Sequence, residues 1–257
     1  MGEIKIGTLC SGSKGNCTLV KYRDTAILVD AGRSTKYIKG ALASVGLTPE
    51  DISAILLTHS HSDHTSALKV WSSHYKIPIH ASRAVCSAVC TKCDGTLLCP
   101  HSLIFEEQIG DLTVKSFPTD HDSPGSVGYR FEAGGVSVGV ATDLGRVTDY
   151  VREGLSGCVA AVIESNHDVD MLMNGPYPPD LKQRILSRYG HLSNESGAEF
   201  ARYLADHGTQ KLMLAHLSEI NNTPELAHRA SVAALSDLLG GIELAIAEPA
   251  EPVIFDL

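Results

Sequence analysis

The sequence predicts a mixed α/β protein in which residues 1–257 form one domain. Short runs rich in β-branched residues recur along the chain between Gly, Asp and Asn, and this pattern is typical of strands. Segments with helix caps and an apolar stripe separate several of these runs. The chain contains no fixed repeat, no low-complexity tract and no linker long enough to divide it into two domains.

The predicted strands form two series along the chain. The first series lies at 3–9, 18–22, 26–30, 52–58 and 77–81. The second series lies at 112–117, 127–132, 136–142, 159–164, 211–215 and 243–247. Gly134 and Gly135 separate two runs of the second series, and they predict a hairpin turn because glycine accepts the positive φ that tight turns require.

The clearest helix is predicted from Thr223, because Thr is a good N-cap and Pro224 suits the first helical position. Gly240 lies beyond the predicted end of this helix. Its apolar stripe comprises Leu226, Ala230, Ala233 and Leu238. Other helices are predicted at 193–207, directly after His64 and near 181–189.

The composition excludes several classes of protein. With 43% hydrophobic and 20% charged residues the chain is too apolar to be disordered, yet its longest apolar runs, 54–57 and 159–163, are far too short to span a membrane. The 21 basic and 30 acidic residues give a net charge of −9, which argues against a basic surface that coats nucleic acid. An anionic ligand must therefore be bound locally.

Seven cysteines, an odd number, and an N-terminus without an apolar signal segment favour a reducing, cytoplasmic location. One group of thiols stands together, at Cys86, Cys90, Cys93 and Cys99, with His101 beside it. These residues could form a separate zinc knot, but their spacing lacks the paired C-x₂-C of a zinc ribbon. Free thiols are the preferred interpretation, and a zinc knot is the alternative.

Three imidazoles and one carboxylate lie within six residues, directly after the predicted strand that contains 54–57. The segment reads Thr58-His59-Ser60-His61-Ser62-Asp63-His64. Imidazole and carboxylate are the ligands that borderline divalent ions prefer, and their close spacing lets one loop surround a metal. A metal site is therefore favoured over a polar surface loop.

The position after a strand carries a possible metal ligand at three later places. These residues are His121, Asp143 and His216, which follow the runs 114–119, 136–142 and 212–215. If these strand ends meet at one edge, all the ligands lie close together.

The H-x-H-x-D-H run at 59–64, followed by an isolated His, an Asp and a final His at strand ends, resembles the metallo-β-lactamase superfamily over nearly the whole chain. Narrower segments resemble the bacterial YycJ/WalJ branch, whose members are regarded as metal-dependent nucleases or phosphodiesterases. They lie at 11–16, 164–168, 174–178, 190–194 and 215–219 with 221–224. The resemblance implies an αββα sandwich, two mixed β-sheets flanked by helices, with two metals at one edge.

The resemblance also assigns the ligands. The first metal would be held by His59, His61 and His121, the second by Asp63, His64 and His216, and Asp143 would bridge them. A water between divalent ions about 3.5–4 Å apart is deprotonated near neutral pH, so a metal-bridging hydroxide is the expected nucleophile. The two ions outweigh the two carboxylates and the hydroxide, and the resulting positive charge suits an anionic phosphodiester.

Residues around the metals receive roles as hypotheses. Asp30 is expected to orient a metal ligand, with a simple turn residue as the alternative. In the similar tRNA-processing branch, a Glu and a His at the places of Glu164 and His191 are thought to handle the leaving-group proton, and we expect the same here. Asp63 completes the expected catalytic set. The alternative for His191 is a helix cap.

The expected substrate residues are Ser13, Asn16, Arg33 and Arg146. Two glycines in the loop at 11–16 allow backbone amides to face a phosphate, although a bare turn is an equal alternative. The two arginines follow predicted strands and could clamp a phosphate, with surface salt bridges as the alternative. Lys182, Arg184 and Arg188 do not share one helix face, so a solvated helix is expected there.

The function expected from these observations is phosphodiester hydrolysis by two divalent metals, and a DNA exonuclease is preferred. Zinc is the favoured metal and manganese an alternative, since both suit nitrogen and oxygen ligands. DNA or another phosphodiester is the expected partner, and no contact with a membrane is expected. The oligomeric state is left open, with a homodimer as one alternative. The alternatives are a small-molecule phosphodiesterase, a thioester or lactam hydrolase of the same fold, or a metal-dependent regulatory protein without turnover.

Overall fold

The computed structural model describes residues 3–257, in which two seven-stranded sheets pack face to face. The first sheet contains β1 (Ile4–Cys10), β2 (Cys17–Tyr22), β3 (Thr25–Val29), β4 (Ile52–Leu56), β5 (Ile79–Ser82), β6 (Leu98–His101) and β14 (Val253–Asp256). The second contains β7 (Glu106–Ile109), β8 (Leu112–Pro118), β9 (Val127–Ala133), β10 (Val136–Ala141), β11 (Ala160–Glu164), β12 (Lys211–Ala215) and β13 (Glu243–Ile246).

Both sheets are mixed. The order in the first sheet is β14-β1-β2-β3-β4-β5-β6, with antiparallel pairing from β14 to β3 and parallel pairing from β3 to β6. The order in the second sheet is β13-β12-β11-β10-β9-β8-β7, parallel from β13 to β10 and antiparallel beyond. Gly134 and Gly135 have φ of 59° and 82°, which confirms the predicted hairpin turn between β9 and β10.

Nine α-helices are described between residues 3 and 257, several of them short. They are α1 (Thr35–Ser44), α2 (Ser62–Thr65), α3 (Leu68–Val70), α4 (Arg83–Val89), α5 (Asp149–Leu155), α6 (Val169–Asn174), α7 (Pro179–Ile185), α8 (Asn194–Asp206) and α9 (Pro224–Ala234). The caps of α8 and α9 are those expected, because the side chains of Ser193 and Thr223 accept hydrogen bonds from Ser196 N and Leu226 N. Every helix in this range is too short or too polar to cross a membrane.

Three apolar layers hold the architecture together. Alternate residues of β3 point to opposite faces, so Ile27 and Val29 pack between the sheets while Ala26 and Leu28 pack beneath helices. The outer layer of the second sheet is covered by α5, α8 and α9 through residues such as Phe200. The predicted αββα sandwich is therefore confirmed.

The ends of β3, β4, β10, β11 and β12 lie at one edge of the sandwich, where the chain makes unusually sharp turns. Asp30, Asp143 and His216 each follow a parallel strand with positive φ, at 65°, 57° and 58°. This left-handed conformation is uncommon outside glycine, although Asp and His tolerate it better than β-branched residues do. Three distant strand ends thus turn in the same way.

The loop that carries the histidine run is fixed by backbone contacts to the loop between β1 and β2, which in turn contacts the turn after β3. Asn16 N donates to Asp63 O at 2.8 Å, and Gly32 N donates to Asn16 O at 2.9 Å. A Cβ added to Gly32 would lie 1.5 Å from Asp63 O, so no larger residue fits there without moving that loop. The close approach of the two loops therefore requires glycine at this position.

Replacing Gly32 with Ala should destabilise the protein by about 1–3 kcal/mol through overpacking and displace Asp63. Urea unfolding and metal content per chain would measure the two effects. Gly40→Ala is the matched control, because Gly40 lies in α1 with open space around it and alanine should stabilise that helix by roughly 0.5–1 kcal/mol. Equal stability and metal content in the Gly32 variant would contradict the argument.

Candidate metal centre

The His59–His64 loop leaves β4 and buries two of its imidazoles. His59 and His64 have no exposed surface, whereas His61 remains half-buried at the mouth of a cleft. The short helix α2 begins directly after His61, so Asp63 and His64 start one helical turn and face the same edge as the strand ends. Local structure thus points this segment at the edge where the other strands finish.

The structure brings all seven expected metal ligands together at this edge. Ligand atoms of His59, His61 and His121 lie within 4.8 Å of one another. Asp63, His64 and His216 form a second group of this kind. A third group contains His59, His64 and Asp143, and it shares one residue with each of the first two. Asp143 therefore stands between the two triads, where a carboxylate could contact two ions.

Unsatisfied polar atoms show that the residues fit bound cations. The buried atoms His59 Nε2, His121 Nε2, His216 Nε2 and Asp143 Oδ2 have no hydrogen-bond partner in the described chain. A buried polar group without a partner lowers the stability of the folded state by about 1–3 kcal/mol, so four such groups in one place destabilise the metal-free protein. Nitrogen and oxygen donors of this kind suit zinc or manganese and satisfy the deficit when an ion binds.

Hydrogen bonds to the other ring nitrogens orient these imidazoles. His121 Nδ1 donates to Gly190 O at 3.2 Å, which leaves the Nε2 lone pair of the neutral ring free for a metal. His216 Nδ1 lies 2.8 Å from Glu164 Oε1 and leaves its Nε2 free in the same way. Partners of this kind fix both the tautomer and the direction of a metal ligand.

Asp30 performs the same task for His64. Asp30 Oδ2 lies 2.7 Å from His64 Nδ1, and Thr58 donates to both carboxylate oxygens through its backbone N and its Oγ1. His64 Nε2 then faces the carboxylates of Asp63 and Asp143, each at 3.4 Å. Asp30 therefore orients a candidate ligand and lies behind it, at 3% exposure.

Charge and burial act in opposite directions on the buried imidazoles. Burial lowers the pKa of His59 well below its ordinary value. For His216, burial also acts to lower the pKa, but the nearby carboxylates Asp143, Asp63 and Glu164 raise it to about 10. A proton held on the His216 ring occupies a position that a cation would take, so metal binding must release that proton.

Glu164 is fully buried and joins several parts of the site. Its Oε1 lies 2.9 Å from His191 Nδ1 and 2.8 Å from His216 Nδ1. Its Oε2 accepts from Leu144 N and Leu192 N, both at 2.9 Å. Although burial acts to raise it, the two imidazoles hold the pKa of Glu164 at about 2, so the carboxylate stays ionised.

The cleft beside these groups has a volume of about 320 Å³. Its lining includes Ser13 and the mechanistic candidate His191, whose ring centroid lies 5.2 Å from those of His121 and His216. His191 Nδ1 is held by Glu164, so its Nε2 is the nitrogen that can act in the cleft. Asp63 also lines this space.

Three of the four expected substrate residues lie outside the cleft lining. Asn16 is buried and supports the loop, with Nδ2 3.0 Å from His64 Nε2. Arg33 stacks on the Tyr37 ring at 4.6 Å, and Arg146 pairs with Asp120 at 2.6 Å. The two arginines of the expected clamp therefore lie against a neighbouring aromatic ring and a neighbouring carboxylate, and neither lines the cleft.

Residues outside the expected set complete the cleft. Arg184 lines it, instead of standing on a purely solvated helix, and Arg184 Nε donates to Asp122 Oδ2 at 2.5 Å. Asp122 Oδ1 lies 3.4 Å from His61 Nε2 and 3.3 Å from His121 Nε2. The available signal was the spacing of Leu181, Arg184 and Ile185, which places them on one side of a helix.

The cysteine group does not join the metal centre. Cys86, Cys90, Cys93 and Cys99 are free thiols in the structure, and none belongs to a group of three close ligand atoms found between residues 3 and 257. Burial raises the pKa of the Cys86 thiol to about 11, whereas Cys90 is exposed.

The sandwich and the ligand set at its edge define a class of metal-dependent hydrolase. Residues 11–188 match the model of the metallo-β-lactamase superfamily, and the chain belongs to that superfamily. It is 38% identical over 255 residues to a Streptococcus pneumoniae protein named exodeoxyribonuclease WalJ, covering 96% of this chain and 95% of that protein. A Bacillus anthracis protein named exodeoxyribonuclease YycJ is 36% identical, covering 87% of this chain and 86% of its own.

A solved structure agrees at the level of the fold. The metallo-β-lactamase fold protein YhfI from Bacillus subtilis superposes with a TM-score of 0.75 at 16% identity, and the match covers all of both chains. The resemblance to the superfamily and its YycJ/WalJ branch that the motifs indicated is thus confirmed.

Replacing Asp30 with Asn should weaken binding at the ion held by His64 by about 10–100-fold, because the ring loses the carboxylate that orients it. Asn is similar in size and also tolerates positive φ, so the backbone should keep its turn. Calorimetric titration of the metal-free protein with zinc would measure the change. Asp24→Asn, in an exposed turn, is the control, and an unchanged affinity for both ions in the Asp30 variant would refute the assignment.

Proposed function

We propose that this protein is a metal-dependent phosphodiesterase that removes nucleotides from the ends of DNA. The observation that carries the proposal is the Glu164–His191 pair, which stands beside a complete set of seven ligands in a cleft of small volume. The identity to proteins named exodeoxyribonucleases, 38% over most of the chain, supports DNA as the substrate.

The metal ligands would be divided between two ions. His59, His61 and His121 would hold one, and Asp63, His64 and His216 the other, with Asp143 between them. Divalent ions bound here supply Lewis acidity and lower the pKa of water toward neutrality. Zinc is the proposed metal because of its affinity for imidazole, with manganese as the alternative. The seven free cysteines support a reducing, cytoplasmic setting.

His191 would act on the leaving group. Its Nδ1 is held by Glu164, so its Nε2 can present a proton to the departing 3′ or 5′ oxygen of the strand. Glu164 itself is buried and already accepts five hydrogen bonds, two from rings and three from backbone N–H groups. Its proposed role is therefore to position His191 and His216 and not to transfer the proton directly.

Digestion of matched linear and circular single-stranded DNA, with zinc or manganese added, would test the activity. Linear DNA should be shortened from its ends and circular DNA should resist, whereas a chelator should abolish the reaction until metal is restored. A thioester, a lactam and a bis-aryl phosphodiester would be assayed in parallel. Hydrolysis of the thioester or lactam alone, or of circular and linear DNA at equal rates, would overturn the proposal.

Replacing His191 with Ala should lower kcat on DNA by about 10²–10⁴-fold, because the leaving alkoxide loses its proton donor. The loss should be much smaller with a bis-aryl phosphodiester, whose phenolate leaves without a proton. Metal content should not change, since His191 is outside the seven expected ligands.

The control is His228→Ala, an exposed residue of α9. Equal losses on both substrates, or no loss on DNA, would remove His191 from the proposed step.

A further inference from the structure

The cleft has two chemically different sides. One side carries the candidate ligands and His191, and the other is formed by helix α7 with the segment before it. Tyr177, Leu181 and Ile185 make this second side largely apolar. A volume of about 320 Å³ lies at the small end of the roughly 300–1,000 Å³ typical of ligand pockets. Such a space can admit a single nucleotide, with the flat base against the apolar wall.

Arg184 belongs to the α7 side of the cleft. Its side chain is 51% exposed, and only Nε is engaged, by Asp122. The two terminal amino groups have no hydrogen-bond partner in the described part of the chain. Because Asp122 also lies against His61 and His121, the guanidinium is fixed one carboxylate away from the candidate metal centre.

The charges around the cleft make this arginine distinctive. Among the described residues that line the cleft, Arg184 is the one Lys or Arg, while the chain as a whole carries a net charge of −9. Arginine binds phosphate through a planar fork of N–H groups, and two of those donor nitrogens remain available here. A phosphate of the substrate therefore meets one fixed cation besides any metal.

We propose that α7 and Arg184 form a subsite for the terminal nucleotide of a DNA strand. The Arg184 fork binds the phosphate adjacent to the scissile one, and Tyr177 contacts the base. This inference rests on the proposed function and adds the part of the substrate that is recognised. A strand end fits the subsite, whereas the middle of a strand must bend sharply to enter it.

Arg184→Gln tests this subsite directly. The ratio of kcat/KM for a single-stranded oligonucleotide to kcat/KM for a bis-aryl phosphodiester should fall about 10-fold, because the small diester has no second phosphate. The slope of log KM against log salt for the oligonucleotide should decrease by about 0.7, the value expected for one lost phosphate contact on a single strand.

Two further variants complete the experiment. Arg184→Lys keeps the charge and should retain the salt slope while recovering part of the ratio. Arg188→Gln removes a nearby charge that stacks on Tyr189 and is outside the cleft lining, so it should change neither quantity. Metal content measured for every variant shows whether the ligand set is intact.

Each outcome has a defined meaning. If the wild-type protein degrades DNA and Arg184→Gln keeps both the ratio and the salt slope, the subsite is wrong while the proposed function stands. An equal loss on both substrates, or a ratio that falls as far in Arg188→Gln, also overturns it. If the wild-type protein hydrolyses the small diester but not DNA, the proposed function fails first, whatever the variants show.

Discussion

The convergence of parallel strand ends from both sheets at one edge is the constraint on which the site depends. Asp30, Asp143 and His216 adopt left-handed backbone conformations directly after their strands, at the edge where the candidate ligands meet. Such conformations persist only where the surroundings enforce them. Hydrogen bonds at His216 do so, since its N donates to Ser11 Oγ and its O accepts from Asn166 Nδ2. Site geometry and fold are therefore determined by the same contacts.

Glu164 connects this edge to the chemistry. It holds His216, a candidate ligand, and His191, a candidate proton donor, through one oxygen, and it fixes the Leu144 and Leu192 backbones through the other. A buried carboxylate is costly to desolvate unless all its acceptor positions are used, and here they are. One ionised side chain thereby sets the spacing between the metal centre and the group that acts on the leaving oxygen.

The sequence alone was sufficient where chemistry and local order coincide. The His59–His64 run is contiguous, and His121, Asp143 and His216 follow recognisable strands, so a mixed α/β class and a metal site could be predicted from the residues. The αββα sandwich and the assignment of ligands to two metals came from the resemblance to the superfamily. The short outer strands β6, β7 and β14 were missed. Each has four residues, a length at which periodicity identifies some strands, such as β5 and β13, and not others.

The cleft wall was missed for another reason. The contact of Arg184 with Asp122 joins residues 62 positions apart, and local pattern contains no information on which carboxylate a surface arginine will meet. The same limit applies to Arg146. The sequence pattern suggested it as part of a phosphate clamp, whereas in the structure it pairs with Asp120.

In an acidic protein, repulsion of a phosphate backbone is screened beyond about 8 Å at physiological salt, whereas contacts inside the cleft are screened much less. Attraction confined to the cleft favours a substrate that can place its end there over one that lies across the surface.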